Sequence, residues 1–120
     1  MSDEHSHGQE VLRGLAKPSR ALRQMIPAVY DGFRALHTSV LVDGALDVKT
    51  KELIALAISA SNQCDGCIAS HARGAATAGA SKEEVAEALG VVIMMNGGPG
   101  TVYAPRAYDA FVEFADKTTG

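Results

Sequence analysis

The chain has 120 residues, a formal net charge of −3 and 47% apolar residues, which suits one small globular domain whose core would leave apolar surface for self-association to bury. Lys/Arg and Asp/Glu are mixed throughout with no basic stripe, which argues against a nucleic-acid partner. No run approaches the roughly 18 uninterrupted apolar residues of a membrane span.

The N-terminus MSDEHSHGQE is acidic and polar and has no apolar signal core, which points to a cytoplasmic protein. Residues 1–18 are expected to be a flexible N-terminal segment, with residues 1–9 disordered, and residues 19–120 a single domain. Val11 to Lys17 reads as a short helix ended by Pro18, and Ser19 can cap a turn through Gln24. Pro27 suits the first turn of a new helix. In it Val29, Phe33, Leu36 and Val40 recur at helical spacing and give one apolar stripe, while Arg34 and His37 read as solvated. Asp43-Gly44 marks a turn. Asp47 is a good cap for a helix over Val48 to Ser61. Leu53 to Ile58 is apolar on every side, which predicts a central, buried helix. Asn62-Gln63 and Asp65-Gly66 are turn and cap residues, so the next helix starts near Cys64 and runs to about Ala78, where Gly79 stops it. Its small residues (Ala69, Ala72, Gly74, Ala75 and Ala76) permit close packing.

Ser81-Lys82-Glu83-Glu84 is a capping box. Val85, Leu89, Val92 and Ile93 mark the buried face that follows, and Met94 and Met95 read as core or interface filler. Asn96-Gly97-Gly98-Pro99-Gly100 breaks the helix. It lacks the lysine of a phosphate-binding loop and follows a helix rather than a strand, so that function is set aside. The last helix runs to about Lys117, with Pro105 expected in its first turn and the tail after it loose. Tyr108, Phe111 and Phe114 serve as packing residues. No strand pattern or internal repeat is visible, so the chain reads as all-α.

The chemistry concentrates in Glu52 to His71, ELIALAISASNQCDGCIASH. Cys64 and Cys67 are the only cysteines. Cys67 and His71 stand four apart, so on a helix they share a face with about 5–6 Å between them. A thiol attacks as a thiolate, and a free cysteine titrates at about pH 8.5, a value that the N-terminus of a helix beginning near Cys64 should lower. His71 can carry a proton to or from Cys67. With Cys64 just outside the helix, the pair can close a reversible disulfide, and Cys64, at the helix mouth, is expected to be the more exposed thiol and the one an external reductant reaches. If the chain reverses at Asn62-Gln63, Glu52 and His71 come within about one turn of each other, and the carboxylate could orient the imidazole. Two plainer readings stand beside this one. Cys64, Cys67 and His71 are three suitable zinc ligands, with His5 or His7 as a fourth, or the cysteines are inert core residues. Haem attachment is excluded by Ile68, which stands where that motif needs histidine.

The pattern Glu52, Cys64-x-x-Cys67, x-x-x-His71 resembles the signature of the AhpD-like alkylhydroperoxidases, within the carboxymuconolactone decarboxylase superfamily. The runs DGALDVKTKELIALAIS and NGGPGTVY are similar to that superfamily as well, so the resemblance covers roughly residues 25–115. It implies an AhpD-like all-α bundle of about six helices, assembled as a trimer or hexamer. It also implies a thiol-dependent peroxidase or disulfide oxidoreductase, with Cys67 the peroxidatic thiol, Cys64 the resolving thiol, and Glu52 with His71 the proton relay. The expected partners are a hydroperoxide substrate and a lipoyl- or thioredoxin-type dithiol reductant, with no tightly bound cofactor or metal. AhpD proper places a further histidine just before the second cysteine, where this chain has Gly66. That departure implies a modest peroxidase rate, with thiol–disulfide exchange the larger activity. Two other functions remain open: a lactone- or carbonyl-directed enzyme using Glu52 and His71 with idle cysteines, and a metal-binding or structural oligomeric module.

Overall fold

The computed structural model describes residues 6–119, without the side chains of 118 and 119. Six helices follow one another: α1 (Gln9–Met25), α2 (Pro27–Val40), α3 (Val48–Ser61), α4 (Asp65–Thr77), α5 (Lys82–Asn96) and α6 (Gly98–Thr119). No strand occurs among the described residues. The all-α reading and the count of helices hold.

Helices α3 to α6 form the body, and alanine is what lets them approach. Ala60, Ala69, Ala72, Ala75, Ala104, Ala107 and Ala110 are all buried, with Phe111, Leu56, Ile68 and Val85 as the largest side chains sealed among them. Each of those four contributes about 1.5–3 kcal/mol by leaving water. The starts of the body helices are fixed by short polar side chains. Asp47 accepts from the Thr50 N–H, and Ser81 with Glu84 closes a full capping box, as expected. The ends of α3 and α4 share one turn. Cys64 N–H donates to Ser59 O and Gln63 N–H to Ala60 O; one helix later Ala80 N–H donates to Ala75 O and Gly79 N–H to Ala76 O. Both are Schellman turns, which need a residue with positive φ. Gly79 (φ 90°) adopts that without penalty, whereas Gln63 (φ 57°) carries a Cβ there.

The N-terminal part departs from expectation. The helix expected to stop at Pro18 runs through it, so the boundary at residue 18 falls inside α1. Pro105 likewise lies inside α6 and beyond its first turn. Both prolines, and the residues Gly14 and Thr101 whose carbonyls they deprive of a donor, are exposed, so water can take the freed oxygens. The disorder expected for residues 1–9 lies outside the described residues as far as 5. From Ser6 onward the chain is tied down: one carboxylate, Glu113 on α6, accepts from Ser6 Oγ (2.8 Å), Gly8 N–H (3.1 Å) and Gln9 N–H (3.2 Å). The first turn of α1 is thus capped from the far end of the chain. The tail expected to be loose continues α6 to Thr119, and Gly120 lies outside the described residues.

Helix α2 stands off from the body. Its Cα atoms come within 8 Å of α1 and of no other helix, and none of its residues is buried. Its apolar stripe is uncovered, with Val29, Phe33, Leu36 and Val40 between 50% and 64% exposed. Helix α3 is correspondingly one-sided rather than buried all round: Leu56 and Ala60 face the core, while Ile54 and Ile58 are exposed. Met94 and Met95 lie on the surface, not in the core. A lysine joins arm to body, since Lys51 Nζ donates to the carbonyls of Val40 (2.9 Å) and Val42 (2.8 Å) just where α2 has run out of donors.

Candidate active site

The turn after Ser61 sets α3 and α4 side by side in opposite directions. Glu52 and His71, each a few turns from the reversal, therefore meet. His71 Nδ1 lies 2.7 Å from Glu52 Oε1. The carboxylate is buried (6% exposed) and the imidazole largely so. A carboxylate accepts, so with Glu52 ionised the His71 proton sits on Nδ1 and the Nε2 lone pair is left for proton exchange.

Glycine makes that bond possible. Gly74 follows His71 by three residues on the same face of α4, and a Cβ there would overlap the Glu52 carboxylate, 2.8 Å from Oε1. The sequence offered Gly74 only as one small residue among several. Its particular task, to leave room for a buried carboxylate, could be read only once α3 was laid against α4.

Cys64 and Cys67 are joined in a disulfide, with their Cα atoms 5.2 Å apart. Cys64 is the N-cap of α4: its Sγ accepts from the Cys67 N–H (3.2 Å), at the positive end of the helix dipole. Exposure runs opposite to expectation. Cys67 is exposed and Cys64 half-buried, because Cys64 belongs to the turn itself and its N–H is spent on Ser59 O. An incoming molecule therefore meets Cys67 first. Gly66, between the two thiols, lies under α1: a Cβ there would come 2.9 Å from Leu15 Cδ1. Beside the pair, Asp65 faces Arg106 of α6 at 3.7 Å, and the Arg106 guanidinium lies over the Tyr103 ring.

An open groove of about 390 Å³ separates α2 from α3. Phe33, Leu36, Val40, Leu41, Ile54 and Ile58 make it apolar, and His37 and His71 give it a polar end. Neither cysteine lines it, so His71 is the member of the site that faces the groove. His37, expected to be a solvated surface residue, is instead half-buried and stacks on His71 (ring centroids 5.5 Å apart, planes 13° apart). Sequence reasoning missed it because α2 and α4 are far apart in the chain and nothing in the spacing joins them. Among the described residues no group of three or more His, Cys, Asp or Glu is placed to hold a metal ion. His5, offered above as a zinc ligand, lies outside the described residues. No helix among those described is long and apolar enough to cross a membrane.

The model of the carboxymuconolactone decarboxylase family matches residues 27–115. An uncharacterized protein encoded in the cox locus of Paracoccus denitrificans is 40% identical over 96 residues, 78% of this chain and 86% of that one. An uncharacterized protein of Cupriavidus necator is 38% identical over 91 residues, covering 76% and 80% of the two chains. Among solved structures, a carboxymuconolactone decarboxylase family protein from Legionella pneumophila superposes with a TM-score of 0.84 at 39% identity, over 88% of this chain and 95% of that one. A family protein from Thermotoga maritima, described with an antioxidative response as its possible role, reaches 0.76 at 28% identity, over 92% and 94%.

Proposed function

Because the chain belongs to the carboxymuconolactone decarboxylase family, and sets a CxxC disulfide one helical turn from a carboxylate-bonded histidine, we propose that it is a cytoplasmic dithiol oxidoreductase that reduces hydroperoxides. The observation that carries this reading is the Cys64–Cys67 bond at the N-terminus of α4, four residues from His71 on the same helix. In the reduced protein the Cys67 thiolate attacks the terminal oxygen of the hydroperoxide. The O–O bond breaks, Cys67 becomes a sulfenic acid, and the alkoxide takes a proton to leave as the alcohol. Cys64 then attacks the Cys67 sulfur, forming the disulfide and releasing water. His71, oriented by Glu52, moves the protons through Nε2. A dithiol of lipoyl or thioredoxin type restores both thiols. The exposed Cys67 sulfur is the one it reaches, and Cys64 leaves as a thiolate at the helix N-terminus. With Gly66 between the cysteines, exchange with such a dithiol is the larger activity. The proposal includes self-association as a trimer or hexamer, supported by the uncovered stripe of α2 and the exposed Met94 and Met95.

The test is a thiol count. Anaerobically reduced protein should lose two thiols per chain on one equivalent of an organic hydroperoxide, with the disulfide inside one chain. Thiols that persist, or a disulfide-linked dimer as the main product, would refute the reading. Light scattering that finds a stable monomer at micromolar concentration would remove the assembly.

A second reading has its own support, since His71 lines the groove and the cysteines do not. An enzyme acting on a lactone or other small carbonyl compound could use Glu52 and His71 for acid–base work there. Replacing both cysteines by serine would leave that activity intact and abolish the first.

A further inference from the structure

Helix α2 is an arm that touches the body sparingly, yet one of its side chains reaches the relay. His37 crosses the groove and lays its imidazole against that of His71, with centroids 5.5 Å apart and planes within 13°. One turn earlier on α2, Phe33 flanks His37 at 5.7 Å. Three rings thus bridge from α2 to α4 over a groove that no backbone crosses. The spacing and tilt of the two imidazoles are those of an offset stack.

His71 needs such a neighbour. Its hydrogen bond to Glu52 engages one atom, Nδ1, while the ring borders the groove. The groove on its open side has no backbone wall. A ring whose Nε2 must meet a proton in a set direction loses rate if it swings. We propose that His37 is a positioning residue whose ring face holds the His71 imidazole in the plane of its Glu52 hydrogen bond, so that the seating of the α2 arm sets the competence of the relay. The rate consequence rests on the dithiol reading above, whereas the orientation of His71 does not. The other groups near the pair are Glu52 and Lys51 of α3, and Lys51 is held by the Val40 and Val42 carbonyls.

Two variants of similar bulk and no charge separate a ring face from mere filling: His37→Phe and His37→Leu. Both remove the imidazole nitrogens, so any effect of charge cancels between them. One readout is the downfield NMR resonance of the proton between His71 Nδ1 and Glu52. It should survive in His37→Phe and broaden or vanish in His37→Leu, with equal helix content in both. The other is the rate at which reduced protein is oxidised by an organic hydroperoxide. It should stay within about twofold in His37→Phe and fall about tenfold in His37→Leu. If His37→Leu keeps the resonance, the positioning role is overturned. If His37→Phe loses it as fully as His37→Leu, stacking is not what holds the ring, and the proposal fails equally. If the parent does not react with hydroperoxide, the dithiol reading fails on that arm while the resonance still decides the role of His37.

Discussion

Replacing Gly74 by alanine should damage this protein at a position where a helix ordinarily gains from the change. In the interior of α4, glycine to alanine alone would stabilise by about 0.5–1 kcal/mol, because glycine gives up more backbone freedom on folding. Here the new methyl would occupy the space of the Glu52 carboxylate, 2.8 Å from Oε1. The carboxylate must move, and its charge-assisted bond to His71 goes with it, at a cost of about 1.5–3 kcal/mol. The net expectation is a loss of about 1–2 kcal/mol, the clash outweighing the propensity. Urea unfolding of reduced protein at fixed protomer concentration measures it. Gly14→Ala on α1, where nothing lies within 4 Å of the new Cβ, should stabilise instead. The decisive comparison uses Glu52→Ala as background. With the carboxylate gone, Gly74→Ala should change sign and stabilise by about 0.5–1 kcal/mol. Oxidation by hydroperoxide should slow in Gly74→Ala as far as it does in Glu52→Gln. If Gly74→Ala is as stable and as fast as the parent, the Gly74–Glu52–His71 reasoning is wrong. If it destabilises equally in both backgrounds, the carboxylate is not what it strikes.

Cys64→Ser should still react once with hydroperoxide and accumulate a trappable sulfenic acid at Cys67, whereas Cys67→Ser should lose that reaction; mass spectrometry after dimedone labelling distinguishes the two. Acid should loosen the caps of α3 and α5. Hydrogen bonding to Thr50 lowers the Asp47 pKa, and hydrogen bonds from the Ser81 backbone and Lys49 lower that of Glu84. A depressed carboxylate contributes stability that is present above its unfolded value and lost as pH falls through its folded one. Unfolding midpoints should therefore decline below pH 4.5, the ordinary glutamate value, and Glu84→Gln should flatten part of that decline. Gln63→Gly should raise stability by up to about 1 kcal/mol in thermal melts, since it relieves a Cβ at positive φ.

The body of the molecule was legible because its signals are local. Asp47, the Ser81–Glu84 box and Gly79 each act within a few residues, and the structure puts α3, α4 and α5 where those signals start and stop them. The meeting of Glu52 and His71 was legible for a related reason, since a single tight turn at Asn62-Gln63 fixes the register of the helices that flank it. The N-terminal third was not. Pro18 reads as a helix stop, and in the last helix Pro105 reads as confined to the first turn, because a sequence cannot say whether a freed carbonyl will face water. The stripe of α2 signalled an apolar face, but periodicity does not say what covers it, and among the described residues nothing does. The same blindness hid His37, whose partner lies across a groove, and Gly74, whose task is defined by another helix. The exposure of the thiols was inverted because Cys64 belongs to the turn and not merely to the mouth of the helix.

Glu113 has a consequence for the order in which the chain is made. The donors it satisfies at Ser6, Gly8 and Gln9 lie more than a hundred residues upstream. A ribosome delivers those donors long before their acceptor. Until α6 has emerged, the opening turn of α1 has no Glu113 to hold it, and the gap between them is a long loop whose closure entropy opposes early docking. Gly8 reinforces the dependence, since it is pressed against Phe114 and Glu113 so closely that a Cβ would stand 2.6 Å from either. The opening turn of α1 is therefore capped only once α6 has been made, and a nascent chain halted before residue 113 should present α1 to proteases as an unfastened strap.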